Sequence, residues 1–204
     1  MLRKTLKFIF SNWMLSDVLR NCMQQNFKNE KRRVKSYLSK NKKTLDYGSG
    51  SGCFCRLFHP KDYVGVDVDK TCIRHARKRY PKYTFLLFSK KIPAKDNTFD
   101  NVFSSGVFHH IPNNDFDSCL KEIQRVAKKD AKIIFMDQMP VKMQPNFIGR
   151  FIFQYDFGRF AKEPKLMRKF IEKHFDILEF HYLRSGHFKF QVWKLKKKVL
   201  KAKK

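Results

Sequence analysis

The stretch TLDYGSGSGCF, Thr44 to Phe54, places three glycines at alternate positions behind an aspartate. Glycine inside a helix or strand costs roughly 0.5–1 kcal/mol relative to alanine, so three glycines within five residues predict a loop. The apolar residues just before them predict a short strand over residues 44–47. A bare backbone directly after a strand is typical of a loop that a ligand approaches closely.

Strand patterns and helix patterns alternate outward from this loop. We expect strands at residues 62–68, 84–88, 99–104 and 132–137, and helices at 53–58, 70–80, 115–128 and 165–174. Two further apolar runs, 176–183 and 188–195, predict a hairpin closed through residues 184–187. The alternation predicts an α/β fold with a Rossmann-like, doubly wound and mostly parallel sheet that ends in a C-terminal antiparallel hairpin strand.

Two aspartates suggest what the glycine loop binds. Ligands of such sheets lie at the carboxyl ends of the strands. Asp67 ends the second predicted strand, 21 residues after Asp46, where an acid can accept hydrogen bonds from both ribose hydroxyls. Asp46 precedes the loop, where a carboxylate suits an amino group or a sulfonium better than a pyrophosphate. The pattern favours adenosine linked to an amino acid, and a different nucleotide remains the alternative.

Four segments together resemble a known family. In order and spacing, TLDYGSGSG, YVGVDVD, KKIPAKDNTFDNVFSSGVFHHI and LKEIQRVAKKDAKIIFMDQ are similar to the successive motifs of class I S-adenosylmethionine-dependent methyltransferases of the type 11 kind. The resemblance covers about residues 40–140. A glycine loop alone would be weak evidence, whereas four motifs in register are specific. The resemblance implies an enzyme whose cofactor is S-adenosyl-L-methionine.

The resemblance also implies which residues contact the cofactor. The first motif surrounds the methionine part and the sulfur, the acid after the second strand binds the ribose, and its neighbour lies against adenine. Gly52 matches a glycine that allows the following helix to pack closely. The complete set of implied cofactor residues is Asp46, Gly48, Ser49, Gly50, Gly52, Asp67, Val68, Ser89 and Ser105.

One departure from the family concerns adenine. Related sequences often carry an acid before the I-P-x-x-D-N-T-F-D motif, where it accepts a hydrogen bond from the adenine amino group. Here the segment reads LLFSKKIP, and the equivalent position is Phe88 or Ser89. The Ser89 hydroxyl or a backbone carbonyl would then replace the carboxylate, or stacking alone would hold the base.

Methyl transfer needs an aligned nucleophile and, where the acceptor carries a proton, a base. His110 matches a frequent histidine of the family and is the first candidate, followed by His109. Asp156 and His187 are weaker candidates, and a purely structural role for His110 is the alternative. The segment SSGVFHH lacks the D/N-P-P-aromatic run of enzymes that methylate nucleobase amino groups or glutamine amides.

The segment VKMQPNFIGRFIFQYDFGRFAKEP, residues 141–164, interleaves aromatic residues with arginines. We expect a lid or acceptor pocket with substrate contacts at Phe151, Tyr155 and Arg159. This composition suits a small aromatic or lipid-like acceptor that carries an anionic group. A helix packed on the sheet, or a surface that stacks nucleobases, would show the same pattern.

The chain of 204 residues has a formal net charge of +27, concentrated at its ends. Residues 1–43 hold twelve Lys or Arg against two acids, and residues 187–204 hold eight lysines and no acid. We expect a basic helical extension at 1–43, the methyltransferase domain at 44–195 and a lysine-rich tail at 196–204. The charge favours an anionic membrane surface or RNA as a partner. An RNA methyltransferase and a non-catalytic cofactor-binding scaffold are therefore the alternatives to a small-molecule methyltransferase.

Other features narrow the class of protein. The five cysteines form no CxxC pair, and we expect reduced thiols and no metal site. No run reaches the roughly 18 apolar residues that a membrane span needs. The N-terminal segment lacks the pattern of a cleaved signal peptide, because Lys7 and Asn12 interrupt its apolar run. We expect a cytoplasmic protein, with peripheral association at the inner membrane surface as the alternative.

Overall fold

The computed structural model describes residues 22–153 and 159–198. The candidate residues Tyr155 and Asp156 lie outside these ranges, as do residues 199–204 of the lysine-rich tail and nearly all of the apolar N-terminal segment. Within the described ranges, no helix is both long enough and apolar enough to cross a membrane.

A seven-stranded sheet forms the centre of the fold. Its strands are β1 (Thr44–Tyr47), β2 (Tyr63–Asp67), β3 (Thr84–Leu87), β4 (Phe99–Ser105), β5 (Ala127–Gln138), β6 (Phe175–Ser185) and β7 (Phe188–Lys197). They lie in the order β3-β2-β1-β4-β5-β7-β6. Strands β1 to β5 pair in parallel, and β7 is antiparallel to both β5 and β6. The predicted fold class is confirmed, including the single antiparallel strand of the hairpin.

The described helices are α1 (Lys28–Tyr37), α2 (Lys70–Arg79), α3 (Asn113–Val126), α4 (Phe147–Phe153) and α5 (Pro164–His174). The helix predicted over residues 53–58 is wrong. Only a short 3₁₀ segment, Cys55–Leu57, forms there, and Phe58 is already extended with φ −123° and ψ 159°. Seven residues between Gly52 and Pro60 leave too little chain for a stable α-helix, for which nucleation is costly.

Two predicted boundaries also move. Helix α3 begins at Asn113, two residues early, because the carbonyl of Pro112 accepts hydrogen bonds from the amides of Asp115 and Phe116. Strand β5 begins at Ala127, directly after α3, because Phe99 pairs with Ala127 before the register shifts. Pairing resumes between Asn101 and Lys132, so residues 128–131 join the strand across the register shift.

The two faces of the sheet bury separate cores. The first face, which we call the α3 face, packs Ile133 and Phe135 against α3 and α5. The opposite face, which we call the α1 face, packs Ile134 and Met136 with apolar residues of α1 and α2. Side chains alternate between the two faces along a strand, so two consecutive residues at a strand end lie on opposite faces of the sheet.

Candidate active site

The glycine loop after β1 has the conformation that its composition predicts. Gly48, Gly50 and Gly52 all have positive φ, at 75°, 51° and 83°. A Cβ on Gly48 would lie 2.3 Å from Cγ2 of Val107, and one on Gly52 would lie 2.8 Å from Cζ of Phe85. Gly52 therefore makes room for an aromatic ring of β3, and the helix that the family resemblance implies after it is replaced by the short 3₁₀ segment Cys55–Leu57.

Gly50 differs from the other two glycines because it faces open space. No heavy atom lies within 4 Å of the position that its Cβ would take. Its amide donates a hydrogen bond of 2.8 Å to Oδ2 of Asp67. The loop and the acid at the end of β2 are thus joined, and the backbone of Gly50 borders a space that a ligand could enter.

The Asp67 carboxylate sits at the end of β2 and accepts backbone hydrogen bonds through both oxygens. Its Oδ1 accepts from the amide of Asp69 at 2.9 Å, and its Oδ2 accepts from Gly50. Burial raises the pKa of Asp67 above its usual value, and these two hydrogen bonds oppose that shift. A carboxylate has about four lone-pair sites, so two remain for a ligand.

The Asp46 carboxylate is buried, with 2% of the residue exposed. The Tyr63 hydroxyl donates a hydrogen bond of 2.6 Å to its Oδ2. Burial raises the pKa of Asp46 to about 7, the Tyr63 hydrogen bond opposes the rise, and the negative charge of Asp67 adds to it. A buried acid whose pKa is raised to about 7, and that forms no ion pair with the residues 22–153 and 159–198, is suited to meet a cation.

Apolar surface lies beside Asp67 at the ends of β2 and β3. Val68 is 64% exposed and Leu87 is 44% exposed, unusually high values for such residues. The Phe88 ring faces the Tyr47 ring, with centroids 5.4 Å apart, while Ser89 is exposed. Of the two residues expected at the adenine position, Ser89 is therefore the one with a free polar group in reach of solvent.

The segment after β4 contains both candidate histidines, and the structure separates their environments. Ser105 is half-buried at the end of β4, and the 3₁₀ segment Phe108–His110 follows. His109 is fully buried, with Nδ1 2.7 Å from Oδ1 of the equally buried Asp137. His110 is exposed, and its ring centroid lies 4.1 Å from that of His109.

A buried lysine fixes this segment in place. Nζ of Lys162 donates hydrogen bonds to the carbonyls of Phe108, Ile111 and Phe160 at 2.8–3.1 Å. Burial lowers the pKa of Lys162, and the charge of Asp137 opposes that shift. The amide of Phe160 also donates to the carbonyl of His109 at 2.9 Å. The segment that carries the histidines is thus tied to the residues just before α5.

Replacing Lys162 with methionine should destabilise the protein by roughly 1–3 kcal/mol, because three carbonyls would lose their donor. The cost of burying the ammonium group offsets part of that loss. Urea unfolding measures the change. The matched control is Lys173→Met, which removes a surface ion pair with Asp117 and should cost less than about 1 kcal/mol. Equal effects in the two variants would contradict the structural role of Lys162.

The predicted acceptor segment forms α4 and the turn before α5. Phe151 is half-buried, and its ring stacks on that of Phe147 with centroids 6.0 Å apart. Phe153 is buried, and its ring lies 5.9 Å from that of His109. Arg159 is exposed, and Tyr155 lies outside the described residues. The described part of this segment therefore lies beside the buried histidine.

Three site residues were missing from the sequence prediction: Tyr63, Asp137 and Lys162. Asp137 is the last residue of the strand predicted over 132–137, so its position alone could have marked it as a candidate. Tyr63 and Lys162 reach their partners only through pairings between distant segments, and no local signal identifies them. Among residues 22–153 and 159–198, no three His, Cys, Asp or Glu side chains group as metal ligands would.

Known proteins are similar to this chain in sequence and in fold. The family described as "Methyltransferase domain" matches residues 45–135. This match, together with the fold, supports a class I S-adenosylmethionine-dependent methyltransferase domain. A methyltransferase-like protein of Schizosaccharomyces pombe is 33% identical over 93 residues, which are 44% of this chain and 35% of the relative.

Two further matches agree with the family. A phthiotriol/phenolphthiotriol dimycocerosates methyltransferase of Mycobacterium ulcerans is 27% identical over 97 residues, 46% of this chain and 35% of that protein. The chain thus spans about a third of the length of these two curated relatives. A crystal structure of an S-adenosylmethionine-dependent methyltransferase from Aquifex aeolicus superposes with a TM-score of 0.63 at 19% identity, covering 86% of this chain and 92% of that one.

Proposed function

We propose that this methyltransferase binds S-adenosylmethionine at the glycine loop and transfers its methyl group to a small, largely apolar acceptor. The observation that carries the proposal is the set of unsatisfied groups around the loop. Gly50 borders open space, Asp67 retains free lone pairs, and the buried Ser49 Oγ has no hydrogen-bond partner among the described residues. Buried polar atoms without partners are rare in native proteins, and here a ligand would supply them.

The residues present fit the cofactor part by part. Asp67 would accept hydrogen bonds from the ribose hydroxyls, and the exposed Val68 would lie against adenine, with Ser89 as the polar group nearby. Asp46 would face the cationic methionine part, since it is the buried acid at the start of the loop. Gly48, Ser49 and Gly50 would line the part of the cofactor that lies between Asp46 and Asp67. Ser105 would border the site of methyl transfer.

When bound, S-adenosylmethionine supplies a methyl group on a sulfonium that is itself a good leaving group. The protein must then hold the acceptor in line and exclude water. His109, fixed by Asp137, and the exposed His110 are the side chains placed to accept a proton from the acceptor. His109 is the better oriented of the two, because a carboxylate on Nδ1 leaves Nε2 as the basic nitrogen.

The character of α4 supports an apolar acceptor. Phe147 is 78% exposed and Ile148 is 47% exposed, while Phe160, just before α5, is 41% exposed. A set of exposed apolar side chains on one segment is typical of a lipid or aromatic binding surface, and this segment reaches the candidate base through Phe153 and Phe160. Phe151 and Tyr155 would contact the acceptor, and Arg159 would meet an anionic group on it. The Mycobacterium ulcerans relative is named for dimycocerosate acceptors, which agrees with a lipid-like substrate.

Two measurements test this function. Calorimetric titration with S-adenosylhomocysteine, with NAD as the control ligand, should show micromolar binding of the first and none of the second. Incubation with methyl-labelled S-adenosylmethionine and a cell extract should then move label into the organic-solvent fraction. Label recovered in the RNA fraction instead would overturn the proposed acceptor class, and failure to bind S-adenosylhomocysteine would overturn the proposed cofactor site.

Replacing Asp67 with alanine should weaken S-adenosylhomocysteine binding by about tenfold to a hundredfold. The variant removes a charged acceptor for two ribose hydroxyls, an interaction of about 1.5–3 kcal/mol. Titration calorimetry on both proteins measures the change. Asp69→Ala is the control, because Asp69 caps α2 through the amides of Thr71 and Cys72 and should leave the affinity almost unchanged. An unaltered dissociation constant in Asp67→Ala would show that the ribose lies elsewhere.

A further inference from the structure

Gln138 is a buried amide with no visible role in the fold. It ends β5 with 1% of its surface exposed, and neither Oε1 nor Nε2 has a hydrogen-bond partner among the described residues. Leaving a buried amide unpaired is costly, and most such groups in native proteins are satisfied. Because this side chain lies at the ligand-binding edge of the sheet, a bound ligand would supply its missing hydrogen bonds.

The register of the sheet places Gln138 on the same face as the cofactor site. Asp46 pairs with Phe103, and Ser105 pairs with Met136, all on the α1 face. Gln138 follows Met136 by two residues and therefore faces the same side. Strand β4 lies between β1 and β5, and Gln138 lies four residues beyond Ile134, the residue that is level with Asp46 through Phe103, so the two side chains start roughly 16 Å apart. Gln138 thus lies further than Asp46 toward the carboxyl edge of the sheet, where ligands of such sheets bind.

The surroundings of Gln138 are apolar. Its partner on β7 is Phe190, which pairs in turn with Leu183 of β6, and both are buried in the core of the α1 face. Phe153 of α4 and Phe188 belong to the same core. A neutral amide in such a setting cannot compensate a buried charge, but it can both donate to and accept from a neutral polar group.

We infer that the Gln138 carboxamide holds the methyl acceptor through a neutral group that both donates and accepts hydrogen bonds, a hydroxyl or a carboxamide on an otherwise apolar molecule. The inference rests on the proposed function and deepens it. Any anionic group of the acceptor would then lie away from Gln138, near Arg159. Gln138 is a binding residue in this arrangement, and Asp46 and Asp67 do not depend on it.

The matched control is Gln191, a buried glutamine on the adjacent strand β7. Both polar atoms of its side-chain amide have hydrogen-bond partners. Its Nε2 donates to the carbonyl of Lys162 at 2.7 Å, and its Oε1 accepts from Nε1 of Trp193 at 3.1 Å. Methionine has nearly the shape of glutamine without its polar atoms. Gln138→Met should therefore raise Tm by about 2–4 °C, whereas Gln191→Met should lower it by at least about 2–4 °C. A fall in Tm for Gln138→Met would overturn the inference.

Binding measurements separate this inference from the proposed function. S-adenosylhomocysteine should bind Gln138→Met within about twofold of the wild-type affinity. Absence of that binding in the wild type would refute the cofactor site and leave the Tm comparison intact. With 1-hexanol as the probe, the side-chain amide signals of Gln138 should shift in ¹H–¹⁵N spectra, while those of Gln191 stay in place. Equal shifts at the two residues, or none at Gln138, would also overturn the inference.

Discussion

Replacing Gly50 with valine is expected to weaken S-adenosylhomocysteine binding at least about 1,000-fold, a loss of about 4 kcal/mol. The reason is steric. The position of a Cβ on Gly50 points into space that holds no protein atom within 4 Å, next to the Asp67 carboxylate. A valine side chain would fill the space that the proposed ribose and methionine parts need. Titration calorimetry on the folded variant measures the loss.

Backbone strain must be separated from this steric effect. Gly50 has φ of +51°, where a non-glycine residue costs of order 1–3 kcal/mol. Gly50→Ala shares much of the strain but adds one carbon, so it should weaken binding far less than valine. Urea unfolding of both variants reports the strain itself. Wild-type affinity in Gly50→Val would mean that the cofactor does not approach this side of the loop.

The glycine loop and the sheet could be predicted because their signals are local. The alternation of strand and helix patterns fixes a mostly parallel sheet, and three glycines after β1 mark the loop that crosses its edge. The positive φ of all three glycines agrees with that prediction. Asp67 was predictable for the same reason, since an acid at the end of β2 is visible in the sequence without any knowledge of contacts.

Partners across the sheet could not be predicted. Tyr63 meets Asp46 because β1 and β2 are adjacent, and Asp137 meets His109 because β4 and β5 are adjacent. The sequence placed His110 ahead of His109, whereas the structure gives His109 the fixed orientation and leaves His110 exposed. Nothing in the sequence marks Gln138, because its lack of partners among the described residues is a property of the whole fold.

Local propensity failed where tertiary pairing competed with it. The sequence predicts the fifth strand only from residue 132, yet β5 begins at Ala127, which pairs with Phe99 of β4. Residues 53–58 are apolar enough to suggest a helix, yet only a 3₁₀ turn fits there.

Lowering the pH from 8 to 5 should weaken the binding of S-adenosylmethionine about a hundredfold. Burial raises the pKa of Asp46 to about 7 in the free protein, so the carboxyl is neutral below that pH. The proposed site needs the ionised carboxylate opposite a cationic ligand, so binding must first remove a proton. Each pH unit below the pKa then costs about tenfold in affinity.

The raised pKa of Asp46 changes the stability of the ligand-free protein in the direction opposite to its effect on cofactor affinity. The folded-state pKa of Asp46 lies above its usual value, so its contribution to stability is present at low pH and lost as the pH rises through about 7. The ligand-free protein should therefore gain stability from Asp46 under the conditions in which it binds the cofactor poorly. This opposition distinguishes titration of Asp46 from simple acid unfolding, in which affinity and stability would fall together.

Asp46→Asn is the control that tests whether ionisation of Asp46 causes the pH dependence of cofactor binding. Asparagine retains an oxygen for the Tyr63 hydroxyl but cannot ionise, so the variant should bind weakly at every pH and lose most of the dependence. The pKa of Asp67 is also raised, and any slope that remains in the variant would come from that residue. Calorimetric titrations at pH 5, 6, 7 and 8, with circular dichroism to confirm folding, make the comparison. Affinity that is constant over this range in the wild type would show that Asp46 does not face a cation of the ligand.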